Sequence, residues 1–270
     1  MPTIEITQLA IYPVKSMRGM ALQSSQLDAM GLRWDRRWML VDAQGRFLTG
    51  RQHPELLTIQ PRLSEQGALS LEFPDGKVLA VPSPDAAAGR VPVTVWNDTV
   101  MASPVGGTCD DVLSAWLGEP CRLVFIEDDE VRQVDPAYAH EGDRTGFSDG
   151  FPLLLISEAS LADLNSRLPE ALPMSRFRPN LVVSGTEPFA EDDWQTFETC
   201  GVKFSVVKPC SRCVMTTVDA ERGIRAGNEP LATLMTYRRQ GNKVMFGQNV
   251  IHRGRGVLRV GAPVEVLPAD

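Results

Sequence analysis

Residues 202–219, with the sequence VKFSVVKPCSRCVMTTVD, place two cysteines between two β-rich flanks. Apolar and β-branched residues dominate 202–207 and 214–218, which predicts strands on both sides of a short polar turn. A redox cysteine pair of the thioredoxin type would stand at a strand-to-helix junction instead. The segment therefore predicts a β-rich fold in which two thiols, Cys210 and Cys213, lie beside a fixed positive charge.

The two cysteines allow three chemical interpretations: a redox dithiol, half of a zinc site, or one reactive thiolate beside an unrelated thiol. A structural zinc would need two further ligands. The other cysteines, Cys109, Cys121 and Cys200, and the three histidines form no second closely spaced pair. A single thiolate, free or bound to a metal, is the leading hypothesis. A pair of partly buried structural thiols is the alternative.

The composition bounds the class of protein. With 270 residues, of which 43% are hydrophobic and 23% charged, the chain can bury a sizeable core in two lobes or in one large β-rich domain. Its formal net charge of −7 argues against broad binding to nucleic acid or to an anionic membrane. The N-terminal sequence has no apolar signal-peptide region, no run of about 18 apolar residues occurs, and an odd number of cysteines suits reduced thiols. We therefore expect a cytoplasmic protein with neither nucleic-acid nor membrane partners.

Period-two patterns and turn signals predict that the first half of the chain is mostly β, as a barrel or a sandwich. One hairpin is predicted for 69–81, where the sequence Pro-Asp-Gly supplies the turn. A second hairpin is predicted for 93–101, with Asn97 and Asp98 as its turn. Further strands are predicted at 4–11, 37–42, 244–251 and 257–267.

Helix signals of any strength occur three times. Thr108 is a candidate N-cap for a helix that ends near Gly118. Ser157 is a candidate N-cap for a helix that carries leucines on one face and stops at Pro169. A third, shorter helix is predicted to begin at Asn228. The second half of the chain is thus mixed, with β structure predominating.

Basic residues recur at predicted turns and strand ends. If they converge in space, they would bind a phosphorylated or other anionic ligand, because guanidinium and ammonium groups neutralise phosphate oxygens. The chain has no Walker-type loop, no G-x-G-x-x-G, no G-x-S-x-G and no H-E-x-x-H, which disfavours nucleotide-binding and standard hydrolase templates. The basic residues in question are Lys15, Arg36, Arg37, Arg51, Arg176, Arg178 and Arg212.

Many of the same residues fall into an ordered set of motifs. The motifs are YPVKS at 12–16, DRRW at 35–38, SEASLADLN at 157–165, FRPN at 177–180 and CSRCVMTTVD at 210–219. Together they resemble the MOSC proteins, and most of all the subgroup of bacterial YcbX and the mitochondrial amidoxime reducing component. The resemblance runs in order from near residue 5 to about residue 267, so it is far more specific than any one motif.

The resemblance implies a mainly β fold with a few helices, of the α+β class, built from two β-barrel domains. Residues 1–120 would form the N-terminal MOSC β-barrel domain and 121–270 the MOSC domain, with a molybdenum cofactor, a metal-carrying molybdopterin, between them. By position, Cys213 corresponds to the molybdenum ligand, whereas Cys210 does not, and a soft thiolate suits this metal. The residues that correspond to contacts with the pterin or its phosphate are Lys15, Ser16, Arg36, Arg178, Asn180 and Arg212.

The resemblance also implies an activity, the reduction of N–O bonds in small N-hydroxylated compounds. We take Asp149 as the candidate proton donor. The YcbX type continues into an iron–sulfur domain, whereas this sequence stops at Asp270, so we expect electrons from a separate iron–sulfur or flavin protein. The alternative is a sulfur carrier in which Cys213 receives persulfide sulfur from a pyridoxal-phosphate-dependent cysteine desulfurase, or a protein that handles the cofactor. A binding module without turnover is the remaining alternative.

Overall fold

The computed structural model describes residues 3–84 and 86–268. The outer limits of the two predicted domains, residues 1 and 270, lie outside the described residues. The strands are β1 Glu5–Ile11, β2 Met20–Leu22, β3 Ser24–Asp28, β4 Gly31–Leu32, β5 Trp38–Val41, β6 Gln60–Leu63, β7 Leu69–Glu72, β8 Val78–Ala80, β9 Val91–Val95, β10 Asp98–Pro104, β11 Arg122–Phe125, β12 Leu153–Ser157, β13 Leu181–Ser184, β14 Thr196–Thr199, β15 Val202–Arg212, β16 Val218–Asp219, β17 Ile224–Arg225, β18 Arg239–Gln240, β19 Lys243–His252, β20 Val257–Arg259 and β21 Glu265–Leu267. The α-helices are α1 Thr108–Leu117, α2 Glu158–Arg167 and α3 Leu231–Tyr237, and short 3-10 helices span Pro54–Thr58, Ala86–Ala88, Met174–Phe177, Ala190–Asp192 and Val214–Thr217.

The fold class is mainly β with a minority of helix, which confirms the predicted α+β class. The largest sheet has nine strands in the order β2-β1-β13-β12-β19-β15-β14-β21, with β18 paired to β19. A four-stranded sheet has the order β5-β11-β10-β9, and the smaller sheets are β20-β3-β4, β6-β7-β8 and β16-β17. All of these pairings are antiparallel except that of β12 with β13.

The sheets interleave the two halves of the chain. Strand β1 belongs to the large sheet and pairs with β13, with Glu5 opposite Ser184. Strand β11 follows residue 120 but pairs with β5 and β10, which precede it. Strands from both sides of residue 120 therefore pair within the same sheets. The domain boundary between residues 120 and 121 stays a prediction.

Four apolar clusters support the sheets within the described part of the chain, and two of them, here called the two cores, are in contact. The first contains buried residues from the N-terminal half, such as Leu40 and Leu123, and the second contains residues of the large sheet, such as Leu9 and Phe204. The partly buried Trp34 and Leu63 pack against both cores. The two cores are therefore in contact through the side chains of Trp34 and Leu63.

All three predicted helices are present, but the N-terminal ends of two of them differ from the prediction. Helix α1 spans the predicted residues and ends at Gly118, which has a φ of 78°, but its N-cap is Gly107 rather than Thr108. Helix α2 is capped by Ser157, whose Oγ accepts a hydrogen bond from the Ser160 amide at 3.1 Å. The prediction that the third helix begins at Asn228 is wrong, because α3 begins at Leu231. A residue before proline disfavours the helical conformation, and Pro230 follows Glu229 directly.

Candidate functional site

One cavity of about 450 Å³ opens where loops from both halves of the chain meet the ends of β15 and β19. Its walls come from segments that are far apart in sequence, including the loop after β1 and the loop before β12. All eight residues that the sequence predicted for the site line this cavity: Lys15, Ser16, Arg36, Asp149, Arg178, Asn180, Arg212 and Cys213. The structure thus brings them together, and their individual roles stay predictions.

The cavity is strongly basic in an acidic protein. Seven lysines and arginines but only one carboxylate line it, whereas the whole chain carries a formal net charge of −7. A concave site lined by one sign of charge concentrates ligands of the opposite sign. The cationic residues are Lys15, Arg36, Arg51, Arg176, Arg178, Lys208 and Arg212.

Strained backbone concentrates around the same cavity. Among the described residues, seven that are not glycine have a positive φ, and four of them line the cavity. Side chains other than glycine rarely adopt this conformation, and such residues cluster at ligand sites, where the surrounding structure enforces them. The four are Ser16 with a φ of 68°, Arg36 with 49°, Trp96 with 56° and Arg178 with 58°.

Strand β15 delivers the two cysteines to the cavity. It is 11 residues long, and its pairing with β19 is interrupted by irregularities between Val206 and Lys208 and between Pro209 and Ser211. Bulges of this kind bend a strand and re-aim its side chains, often beside active sites. The predicted polar turn around the cysteines is wrong, because β15 continues through Arg212.

The segment after Cys213 also differs from its prediction as a strand. Residues Val214–Thr217 form a 3-10 helix. The Thr216 hydroxyl donates to the Cys213 carbonyl at 3.0 Å, and the Thr217 hydroxyl donates to the Val214 carbonyl at 2.8 Å. These local hydrogen bonds compete with a strand ladder, so the β-branched residues that suggested a strand stabilise a turn instead.

A first group of residues, which we call the Tyr12 cluster, consists of Tyr12, Asp35, Arg36, Arg178 and Asn180. The Cζ atoms of Arg36 and Arg178 each lie 4.2 Å from the centroid of the Tyr12 ring. Arg36 donates to the Asp35 carboxylate, to Asn180 Oδ1 at 3.1 Å and to the Arg178 carbonyl at 3.2 Å. Burial raises the pKa of Tyr12 to about 12 and lowers the pKa of Arg178 to about 10. The cluster is therefore a buried, cation-rich wall whose charges are held by the protein itself.

A second group, which we call the Asp149 cluster, consists of Lys15, Arg51, Trp96, Asp149 and Cys213. Lys15 Nζ donates to Asp149 Oδ1 at 2.7 Å, and Arg51 Nη2 donates to Asp149 Oδ2 at 2.7 Å. Arg51 Nε donates to Cys213 Sγ at 3.3 Å, and Trp96 Nε1 donates to Asp149 Oδ1 at 3.2 Å. One carboxylate thus links two cations and an indole, and one of those cations contacts the thiol.

The pKa values of Asp149 and Lys15 both lie below their usual ranges. Desolvation would raise the pKa of Asp149, but Lys15 and Arg51 outweigh it and hold that pKa well below its usual range. Burial lowers the pKa of Lys15 to about 8, although Asp149 opposes this shift. Asp149 is therefore a carboxylate at neutral pH. Its role as proton donor stays a prediction, and these ion pairs count against it.

The loop that carries Asp149 is itself anchored by a buried arginine. Arg132 Nη1 donates to the carbonyls of Gly146 and Ser148, at 2.9 and 2.5 Å, and its Nε donates to Asp98 at 2.8 Å. Gly146 packs so closely that a Cβ there would lie 2.6 Å from the Arg36 carbonyl oxygen. Because Gly146 has no side chain, the loop that carries Asp149 can pack directly against the backbone of Arg36. This contact connects the Asp149 cluster to the Tyr12 cluster.

The two cysteines of β15 occupy different surroundings. Cys210 packs against an apolar cluster that includes Phe177 and Phe246, and burial raises the pKa of its thiol. Cys213 instead accepts the hydrogen bond from Arg51. A charge-assisted hydrogen bond favours the thiolate, whereas an apolar environment favours the thiol. The two cysteines therefore differ in their surroundings, and the roles predicted for them stay predictions.

Sequence reasoning missed Arg51 as a site residue and did not single out Trp96 at all. Arg51 stood only among the scattered basic residues, and no neighbouring motif marked it. Its contact with Cys213 joins residues 162 positions apart, and that of Trp96 with Asp149 joins residues 53 positions apart. The only local signal for Trp96 was a large aromatic residue beside a predicted hairpin turn.

Comparison with known proteins places the chain in a family. The MOSC N-terminal beta barrel domain matches residues 3–120, and the MOSC domain matches residues 142–265. The chain is 34% identical to human mitochondrial amidoxime-reducing component 1, over 97% of this chain and 82% of that protein. The chain belongs to the MOSC family. This MOSC protein is also 32% identical to human mitochondrial amidoxime reducing component 2, over 96% of this chain and 82% of that protein. A rice molybdenum cofactor sulfurase is 33% identical over 90% of this chain but only 32% of that protein.

These relatives correct the expected location. The predicted cytoplasmic location is contradicted by the two human relatives, both of which are named as mitochondrial, and the comparison points to mitochondria instead. A missing apolar signal region bears only on secretion, whereas mitochondrial targeting segments are amphipathic and rich in arginine. Within the described part of the chain, no helix combines the length and apolar character needed to span a membrane.

Proposed function

We propose that this MOSC protein is a molybdenum-dependent reductase that removes oxygen from N-hydroxylated compounds. The observation that carries the proposal is the meeting of a single arginine-bonded thiol, Cys213, with a basic cavity of about 450 Å³. The amidoxime-reducing relatives, which align over more than four-fifths of their own length, support the same activity.

The residues of the cavity fit a molybdenum cofactor. Among the described residues, no group of three or more histidine, cysteine, aspartate or glutamate side chains is placed to hold a metal ion. A single cysteine sulfur in this cavity suits a metal whose remaining ligands come from an organic group. Arg212 donates Nε to the Phe246 carbonyl and Nη1 to the Phe177 carbonyl, while its buried Nη2 has no partner among the described residues. A buried donor of this kind calls for an acceptor from a ligand.

Each part of the site has a task in this proposal. When bound, the cofactor supplies the two-electron chemistry that cleaves the N–O bond. Cys213 would bind the metal, and Arg51, whose Nε donates to its sulfur at 3.3 Å, would orient that sulfur for the bond. The cations hold the anionic end of the cofactor through charge-assisted hydrogen bonds. Asn180 lines the cavity, but its Oδ1 accepts from Arg36 at 3.1 Å and from the Leu154 amide at 3.2 Å. Its Nδ2 donates to the Ala10 carbonyl, so in this proposal the side chain positions Arg36.

Electrons come from a separate electron-transfer protein in this proposal, and an iron–sulfur or flavin protein is the class that we propose. The sulfur-carrier alternative and its cysteine desulfurase partner are not favoured. The sulfurase match covers only 32% of that protein, whereas the amidoxime-reducing relatives align over 82% of theirs.

The test compares the two cysteines of β15 in protein made by a molybdopterin-competent host. We expect wild-type protein to contain molybdenum and to reduce benzamidoxime with a supplied electron-transfer chain. Cys213→Ser should lower both the bound metal and the turnover by about a hundredfold or more, since it removes the metal ligand itself. Cys210→Ser is the matched control and should keep both. Unchanged stoichiometric metal in Cys213→Ser would refute the proposed ligand.

A further inference from the structure

The tip of the β9–β10 hairpin holds a tryptophan where turn chemistry selects small residues. Val95 pairs with Asp98, so Trp96 and Asn97 form a two-residue loop. Trp96 has a φ of 56°, and hairpin loops fill such positions mostly with glycine, asparagine or aspartate. A bulky aromatic side chain kept in a strained backbone position indicates a task beyond closing the turn.

The Trp96 ring is held in place without being covered. Its Nε1 donates to Asp149 at 3.2 Å, the Arg51 Cζ lies 4.7 Å from its centroid, and the Phe47 centroid lies 5.0 Å away. Even so, Trp96 is 44% exposed and lines the cavity. A fixed ring with open surface loses little conformational freedom when a ligand stacks on it.

The ring also lies close to the proposed reactive centre. Arg51 contacts both groups, because its Nε lies 3.3 Å from Cys213 Sγ while its Cζ lies against the Trp96 ring. Two other aromatic residues of the described chain line the cavity, but Phe177 is only 1% exposed and Phe151 is half-buried beside Lys208. Trp96 is therefore the most exposed of the three aromatic residues that line the cavity, and Arg51 alone lies between its ring and the Cys213 thiol.

Neutral N-hydroxylated compounds gain little from a cation-lined wall, because they carry no charge to pair with it. Resting on the function proposed above, we propose that Trp96 is the stacking platform that makes this site prefer N-hydroxylated compounds conjugated to a planar ring. Phe47 backs the platform, and the bond to Asp149 sets its orientation. Trp96 is thus a specificity-determining residue, and aliphatic compounds of equal size lack the planar face that stacks on it.

The test uses two substrates of similar size, benzamidoxime and cyclohexanecarboxamidoxime, and the full-length protein loaded with cofactor. Trp96→Gly removes the ring and suits the left-handed backbone, so it adds no strain to the hairpin. We expect it to raise the KM for benzamidoxime and to weaken its equilibrium binding, measured by calorimetry, by about three- to tenfold. The ratio of kcat/KM for benzamidoxime to kcat/KM for the cyclohexane compound should fall by about three- to tenfold. Trp96→Phe, which keeps a stacking face but loses the N–H donor, should restore most of the preference.

Two comparisons decide the outcome. Met101→Ala alters an exposed residue of β10 that does not line the cavity, and it should leave the preference unchanged. Equal losses for both substrates in Trp96→Gly, or a loss in Trp96→Phe as large as in Trp96→Gly, would mean that Trp96 only holds Asp149 and Arg51, which overturns the platform. Ring-dependent binding of benzamidoxime without turnover of either compound would leave the platform standing and overturn the reductase. Turnover without any preference for the planar compound would overturn the platform alone.

Discussion

The Tyr12 cluster and the Asp149 cluster face one cavity but satisfy their charges in opposite ways. In the Tyr12 cluster, Asp35 is 3% exposed, and the two arginines donate to the carboxylate, to Asn180 and to backbone carbonyls of the protein. In the Asp149 cluster, the central carboxylate has a side chain that is 57% exposed. Buried charges cannot lose a protein partner cheaply, whereas an exposed carboxylate can be exchanged for the anion of a ligand. The Tyr12 cluster therefore acts as a fixed wall of the cavity. The Asp149 cluster supplies cations whose protein partner can be replaced by a ligand anion.

The largest expected effect is on stability, and it breaks the Tyr12 cluster. Asp35→Ala removes the carboxylate that accepts from the Arg36 guanidinium and, at 2.7 Å, from the Tyr12 amide. We expect the free energy of unfolding to fall by about 3 to 5 kcal/mol, because a buried cation loses its partner. Urea unfolding followed by fluorescence measures the change.

Asp149→Ala is the matched comparison for that experiment. Its carboxylate also pairs with two cations, but its own side chain is 57% exposed, and the buried Lys15 keeps the Phe147 carbonyl as an acceptor at 2.8 Å. We therefore expect a smaller loss, of about 1 to 2 kcal/mol. A cost for Asp149→Ala equal to that of Asp35→Ala would remove the distinction between scaffold and exchangeable cluster.

The next effect concerns the thiol and sharpens the contrast within the Asp149 cluster. Arg51→Met removes the donor that lies 3.3 Å from Cys213 Sγ. A hydrogen bond to a charged group contributes about 1.5 to 3 kcal/mol, so alkylation of Cys213 by iodoacetamide in cofactor-free protein should slow by about ten- to a hundredfold at neutral pH. Peptide mass spectrometry gives the rate for each cysteine separately.

Two internal references accompany the alkylation experiment. Cys210, whose pKa is raised by burial, should react slowly with or without Arg51. Arg62→Met replaces an arginine that is 61% exposed and lies outside the cavity, and it should leave the rate at Cys213 unchanged. If Arg51→Met leaves that rate unchanged as well, the guanidinium does not activate the thiol.

The sequence motifs located residues whose neighbours in the chain mark them. Cys213, Arg212 and the four-residue segment at 177–180 were located because their neighbours form compact, recognisable strings, and the structure brings them to the same cavity. The mainly β class followed from period-two patterns such as that of β7, whose buried and half-buried residues alternate. Short-range patterns of this kind are carried by adjacent residues.

Contacts between distant segments were beyond those patterns. Arg51 reaches Cys213 and Asp149 only through the folded arrangement of a loop after β5, and nothing beside it in sequence records that distance. Trp96 was overlooked because Asn97 and Asp98 were the expected turn residues, whereas the loop begins one residue earlier and Asp98 pairs with Val95. A one-residue error in a hairpin register is enough to hide which side chain stands at the tip.

The smallest expected effect uses pH to separate the two clusters. Burial lowers the pKa of Lys15 to about 8, so this cation is largely protonated at pH 7 and largely neutral at pH 9. In the Tyr12 cluster, burial raises the pKa of Tyr12 to about 12 and lowers the pKa of Arg178 to about 10, and both values lie above this pH range. Sulfate keeps its charge over this range, and its affinity for cofactor-free protein should fall by about fivefold from pH 7 to pH 9, because Lys15 loses its positive charge as pH rises through its pKa. Lys15→Arg keeps the charge and should flatten the profile in calorimetric titrations. An equally steep profile in Lys15→Arg would assign the pH response to a group outside the Asp149 cluster, and a flat profile in the wild type would mean that anions bind to the Tyr12 cluster alone.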